Sequence, residues 1–433
     1  MNLIKRLQSK LGFGKATPDA HLEDSKVFCM APWVELHSQT NGKMAPCCIA
    51  AMYDGNEIGN LQIDSDLRNA WNSPNMKQLR RNMSEGKEST LCINCYNYEK
   101  HGKFSERMQY NQDFKQYYSR VVSMLRDGTV IDHKVPILDI RFSNKCNYKC
   151  RICNSSYSSM WYEEQLKMGE LSADFPKEMK TAADEALFWE SFKSLLPYAE
   201  RIHFAGGEPL FMEEHYEVLE YLVSIEKTDV LLTYNTNFST LRYKKYNAID
   251  LWKKFKRVDI WASLDAMGEQ GDYQRKGQKW EDIENNIRTL QRECPDILFG
   301  ICVSVSIFNV FRITEFYKYL VENKLVQPDR VNLYLVFGPK QFSVTNLPES
   351  IKVEVVKKFE DFENSYLTTI ENTDKIQEHM RSVISYMLSE KSSEGELLKQ
   401  SINKVDRVRN ENFISTFSEL ADIMHIAEED TKD

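Results

Sequence analysis

The sequence predicts an α/β protein built around parallel strands, with a small α+β module before the core and a helical extension after it. Three observations carry this reading. Six short strand-like runs, at 136–142, 201–205, 229–236, 257–264, 299–307 and 330–337, are separated by stretches long enough for helices, the pattern of parallel β/α units. Eight of the ten cysteines fall in two groups outside those runs, at residues 29–95 and 146–153. After residue 341 glycine becomes rare and three helical runs follow, at 350–366, 373–390 and 394–425. The chain is thereby divided into a leader helix (1–20), a cysteine-bearing module (21–102), a linker helix (103–134), the core (135–340) and the extension (341–433).

Composition bounds the function. At 433 residues, two or three units are the prior. No apolar run approaches the ~20 residues that span a bilayer. A net charge of −8 argues against nonspecific binding along a nucleic-acid backbone. Met1 to Gly14 has basic residues but neither the apolar region nor the cleavage site of a secretory signal. Ten cysteines therefore read as metal or redox chemistry in a reducing compartment, and a cytoplasmic location is expected.

In the leader, Leu3, Ile4, Leu7 and Leu11 share one helical face opposite Lys5, Arg6 and Lys10; no function is assigned to it. The module opens with Phe28-Cys29 and Pro32-Trp33, then has Gly42, Cys47-Cys48 and Gly59-Asn60. Ser73 and Pro74 start a helix with Met76, Leu79 and Met83 on one face, and Gly86 is placed to stop it. Cys92-Ile-Asn-Cys95 follows. Residues 103–126, rich in Tyr, Gln and Arg, read as a helix ending at Asp127-Gly128.

In the core the strand patterns are informative. Leu138, Ile140 and Phe142 alternate with Asp139, Arg141 and Ser143; Ile202 and Phe204 alternate with Arg201, His203 and Ala205. The third run alternates only in part, with Thr233, Asn235 and Asn237 in one register. Val258, Ile260, Ala262 and Leu264 alternate with Asp259, Trp261, Ser263 and Asp265. The fifth sets Ile301, Val303, Val305 and Ile307 against Cys302, Ser304 and Ser306; the sixth sets Val331, Leu333 and Leu335 against Asn332, Tyr334 and Val336. Strands covered on both faces would be uniformly apolar. One phase must face helices, so the other faces a polar interior suited to a ligand, inside a barrel or on the wet face of an open sheet. His203, Tyr334 and Asp259 share that phase and are candidates for acid/base work on a substrate; each reads more readily as a satisfied polar core residue. Cys302 shares the phase, as a hydrogen donor or a spectator thiol. Cys294 beside Pro295 reads as structural. In the extension, Phe359, Phe362, Tyr366, Ile376, Val383, Tyr386 and Met387 form apolar stripes for core packing, and the tail 428–433 is acidic and read as disordered.

The cysteines just after the first core strand, Cys146-Asn-Tyr-Lys-Cys150-Arg-Ile-Cys153, place three thiols within eight residues. Soft thiolates so spaced suit an iron-sulfur cluster or zinc, and a cubane with three protein ligands leaves one iron open. This loop resembles that of radical S-adenosylmethionine enzymes. Residues 28–98 resemble their auxiliary-cluster module, called SPASM in its long form and twitch in its short form, though here it precedes the core rather than following it.

The resemblance implies a partial (β/α)6 parallel barrel and a set of site residues. Cys146, Cys150 and Cys153 would hold a 4Fe-4S cluster to which exchangeable S-adenosylmethionine binds. Cys29, Cys47, Cys92 and Cys95 would hold an auxiliary 4Fe-4S cluster, with the glycine spacing selecting Cys47 over Cys48; a zinc ribbon-like site is the alternative. Gly206-Gly207-Glu208-Pro209 matches the segment that meets the amino group of the methionine moiety. Ser263 and Asp265 match ribose contacts, Arg275 a residue near the carboxylate, and Ile152 a backbone contact to adenine; Asn235 and Asn309 match weaker polar contacts. The implied function is cleavage of S-adenosylmethionine to a 5'-deoxyadenosyl radical that abstracts hydrogen from a peptide, protein or small polyol, with the auxiliary cluster aiding net oxidation. A redox-neutral reaction such as epimerisation is a second reading, and a zinc-stabilised binding protein a third. A flavodoxin- or ferredoxin-like donor, or another one-electron reductase, is the partner implied.

Overall fold

A computed structural model describes residues 22, 25–53, 55–100, 104–391 and 395–420. The leader helix and the acidic tail lie outside the described residues. The central feature is a nine-stranded sheet. Its strands are β1 (Glu35–Ser38), β2 (Lys43–Ala45), β3 (Gly59–Asn60), β4 (Ile137–Ile140), β5 (Arg201–Phe204), β6 (Leu231–Thr236), β7 (Arg257–Ser263), β8 (Leu298–Val305) and β9 (Val331–Leu335). They are ordered β9-β8-β7-β6-β5-β4-β1-β2-β3. The six strands β4 to β9 pair parallel in chain order, as helical connections of this length require. The hydrogen-bonded ladder is open, with β9 and β3 as its edges.

The module is not a separate layer. Its β1 pairs parallel with β4, Glu35 opposite Ile137 and His37 opposite Asp139, so the β1–β2 hairpin extends the core sheet. One hydrophobic cluster runs from Phe28 through the core strands to Leu420 and includes the fully buried Trp33, Trp71 and Trp252.

Burial follows the alternation. On β7, Val258, Ile260 and Ala262 are buried while Asp259, Trp261 and Ser263 are half-buried. On β6 the buried set is Leu232, Tyr234 and Thr236, and Leu231 joins Thr233 and Asn235 on the other face. Across strands, register aligns His37, Asp139, His203, Thr233 and Asp259 in one polar row.

The linker predicted as one helix is two, Glu106–Asp113 and Tyr118–Ser123. The break falls at Phe114, a non-helical residue whose ring is buried and lies under Arg201. Both pieces are tied to the module: Asn111 accepts from Met30 N at 2.9 Å and Arg120 donates to Trp33 O at 3.1 Å.

In the extension, helices Glu349–Ser365, Asp374–Met387 and Gly395–Arg409 are followed by a short turn, Phe413–Thr416. The third helix ends well before the predicted residue 425, because Asn410 takes a left-handed φ of 53°. Edge strand β9 is covered by Asp374–Met387, where His379 Nδ1 accepts from Leu333 N at 3.1 Å. Beyond β9, Phe337 meets Tyr98 of the module edge-on, ring centroids 6.1 Å apart. The module therefore touches both ends of the six-strand array, through strand pairing at β4 and an aromatic contact beyond β9.

Candidate functional site

The cysteine loop leaves β4 and is pinned by the buried Asn144. Its Nδ2 donates to Ser155 O at 2.7 Å and Lys177 O at 3.0 Å, and its Oδ1 accepts from Met179 N at 2.8 Å. Cys150 pairs antiparallel with Arg275, and Trp161 Nε1 donates to Cys150 O at 2.9 Å. Burial pushes all three thiols up, Cys153 to about 12, and each of Cys146 and Cys153 is raised further by a neighbouring cysteine. At Cys150 the Arg275 guanidinium, 3.6 Å from Sγ, opposes that shift. Three thiols on one loop, with a backbone N–H directed at Cys146 sulfur and a guanidinium at Cys150 sulfur, fit a thiolate-held metal cluster. Iron would supply the positive charge that makes buried thiolates favourable.

Gly206 and Gly207 bring β5 onto that loop. Gly207 N donates to Ser143 O at 3.1 Å, and Glu208 N to Lys145 O at 2.8 Å. A Cβ on Gly207 would lie 2.0 Å from Lys145 O, so only glycine permits the approach. Glu208 is buried, with Oε1 accepting from Leu210 N (3.0 Å) and Thr236 Oγ1 (2.6 Å), and Oε2 from Asn237 N (2.6 Å). Burial nevertheless pushes its carboxyl up to about 7. Pro209 opens the short turn that follows.

Asp265 is buried between two partners. Its Oδ1 accepts from Ser304 N at 2.7 Å, and Arg275 Nε lies 2.7 Å from Oδ2. Arg275 thus joins Asp265 to Cys150. Asn309 is consumed by backbone, accepting from Ser306 N and donating to Ser304 O. Ser263 stands opposite Cys302, Asn235 is exposed on β6, and Ile152 is half-buried against the core.

Of the acid/base candidates, His203 lies in the polar row with Nδ1 2.9 Å from Thr233 Oγ1, and burial holds its imidazolium below the usual range. Asp259, in the same row, is paired with Arg330, which stacks on Trp261. Tyr334 is 57% exposed and receives only a long bond from Asn332 at 3.5 Å.

The second group converges as well. Cys29, Cys47, Cys92 and Cys95 line one pocket with Leu91, Tyr110 and Arg107. Cys29 precedes the short helix Ala31–Val34, whose first N–H lies 3.5 Å from its sulfur, and Cys95 sits in the first turn of helix Ile93–Lys100. Burial pushes Cys29 and Cys47 up, and Cys92 to about 12. Cys48 is exposed and absent from the pocket lining.

A family model described as the iron-sulfur cluster-binding domain SPASM matches residues 29–96. With the Cys146–Cys153 loop after the matched residues, the chain resembles radical S-adenosylmethionine enzymes that carry such modules. Among solved structures, it is similar to native anSMEcpe with bound AdoMet and Cp18Cys peptide (18% identity, 53% of this chain and 61% of that one, TM-score 0.35). It is also similar to SuiB of Streptococcus suis bound to precursor peptide SuiA (14% identity, 80% and 68%, TM-score 0.34). TYW1 with a lysine-pyruvate adduct is a third (16% identity, 54% and 72%, TM-score 0.29). The chain spans about 60% of the length of the anSMEcpe chains. A comparison with curated proteins returned no match.

Residues missed in sequence reasoning are Thr236 and Asn237, which hold Glu208, and Asp406 and Glu411, which hold Arg151. The first pair carried a signal, since it directly follows Asn235. The second pair lies 255 and 260 residues beyond Arg151 and carried none.

Proposed function

We propose that the protein is a radical S-adenosylmethionine enzyme that modifies a peptide, protein or small polyol, with its SPASM cluster aiding a net oxidation. The observation that carries this reading is the hydrogen bonding of Gly207 and Glu208 along Ser143–Lys145. It fuses an amino-group acceptor to the three-cysteine loop. Cys146, Cys150 and Cys153 would hold a 4Fe-4S cluster, which when reduced would supply the electron for cleavage of S-adenosylmethionine to methionine and a 5'-deoxyadenosyl radical.

The chain's own residues bind and orient. Glu208 offers a carboxylate to the cationic amino group, Ser263 and Asp265 offer polar atoms toward the ribose, and Arg275 steadies Cys150. His203, whose imidazolium form burial disfavours, is suited to take a proton from substrate. The four cysteines of the SPASM pocket offer complete ligation, which suits an electron carrier. An external one-electron reductase, or a flavodoxin- or ferredoxin-like donor, is required.

Anaerobic reconstitution with iron and sulfide tests the reading. Uptake of about eight irons and formation of 5'-deoxyadenosine under reductant are expected. Retained zinc with no cleavage overturns it in favour of a zinc-stabilised binding protein.

A further inference from the structure

The polar row runs into the module at three buried side chains that the proposed radical chemistry does not use. Glu35 and His37, two residues apart on β1, share a strand face, and His37 stands opposite Asp139 on β4. Their exposures are 1%, 0% and 2%. His37 Nδ1 lies 2.8 Å from Asp139 Oδ2, and one donor atom from each of the three lies within 4.8 Å of the others. Ligands at ~2.1 Å from one ion, at right angles, are about 3 Å apart.

The surroundings satisfy the group only in part. His37 Nε2 and Asp139 Oδ1 are buried without a hydrogen-bond partner, which is uncommon for native polar groups. Tyr110 donates to Glu35 Oε2. Arg141 Nε is 3.5 Å from Asp139 Oδ1, on the other carboxylate oxygen from His37. A cation would offset the two buried carboxylates, Glu35 and Asp139.

We propose that Glu35, His37 and Asp139 form a third metal site, separate from both cysteine groups, for a divalent cation such as Mn(II), Fe(II) or Zn(II). One imidazole and two carboxylates are the donor set that such ions take, whereas iron-sulfur clusters take thiolates. Strand pairing builds the site, because β1 and β4 bring Asp139 level with His37.

The test uses the full chain with its clusters assembled, dialysed against chelator and titrated with Mn(II), an ion that thiolates bind poorly. One Mn(II) per chain is expected by electron paramagnetic resonance, with nitrogen modulation from a single imidazole in the pulsed spectrum. His37→Ala and Asp139→Asn are each expected to weaken binding about tenfold or more while cluster iron is retained. No stoichiometric uptake, or uptake without nitrogen coupling, overturns the site. The nitrogen readout needs no variant, so it decides the matter even where a variant fails to fold. Neither readout involves S-adenosylmethionine, so failure here is distinguishable from failure of the radical reading.

Discussion

The Arg151 guanidinium lies 2.6 Å from the Glu411 carboxylate, joining the Cys150–Cys153 loop to the C-terminal extension. Asp406 pairs with the same nitrogen and also accepts from Tyr273 at 2.8 Å, while the Tyr273 ring lies 3.6 Å below the guanidinium. Arg409 completes the clamp, donating to Lys149 O at 3.0 Å and pairing with Glu164. The helix Gly395–Arg409 and the residues after it therefore hold the cysteine loop in shape.

Removing the clamp leaves a buried cation unpaired. The Arg151 side chain is 2% exposed, and loss of a buried partner typically costs about 3–5 kcal/mol. The Asp406→Asn Glu411→Gln variant is expected to assemble less than half of the core cluster, by iron content, while the SPASM cluster forms. Full iron uptake would show that the clamp is dispensable.

The SPASM pocket makes a separable prediction. Cys92→Ala Cys95→Ala and Cys47→Ala are each expected to lose about four irons and keep S-adenosylmethionine cleavage. Cys48→Ala, which alters an exposed thiol outside the pocket lining, is expected to lose none. Iron analysis and the 5'-deoxyadenosine assay distinguish these outcomes.

Glu208 predicts a pH dependence of binding. Its carboxyl is raised to about 7, first by burial, so below that pH the protonated, neutral form prevails. A cationic amino group prefers the carboxylate, so affinity rises with pH. Binding of S-adenosylmethionine, measured calorimetrically, is expected to strengthen about fivefold from pH 6 to 7. Glu208→Gln is expected to be weaker and flat over that range; an unchanged slope would assign the titration to another group.

Gly207→Ala is expected to disrupt the site outright. The added Cβ meets Lys145 O at 2.0 Å, next to Cys146, so either the loop or β5 must move. Loss of core-cluster iron and of ligand binding is the measurement. Gly395→Ala, where a Cβ meets nothing within 4 Å, is the control and is expected to stay near wild type.

Much of the fold was legible because the relevant signals are local. Each predicted core strand has a counterpart within about two residues at either end, since alternation such as Val258/Asp259/Ile260 is written within one element. The linker was misread as one helix because composition favours helix on both sides of Phe114, and only its burial against Arg201 explains the break. The extension was read as packing stripes, which it has, but its hold on Arg151 was not legible.

The sequence by itself determined the elements, the polar phase of the interior, and the two cysteine groups, because spacing along one loop or strand limits which side chains can share a ligand or a face. Tertiary structure alone decided that β1 extends the core sheet, that Tyr98 meets Phe337, that Asp406 and Glu411 reach Arg151, and that His37 stands level with Asp139. Those relationships depend on register and packing between segments far apart in the chain, where a shift of one residue would turn every facing side chain away.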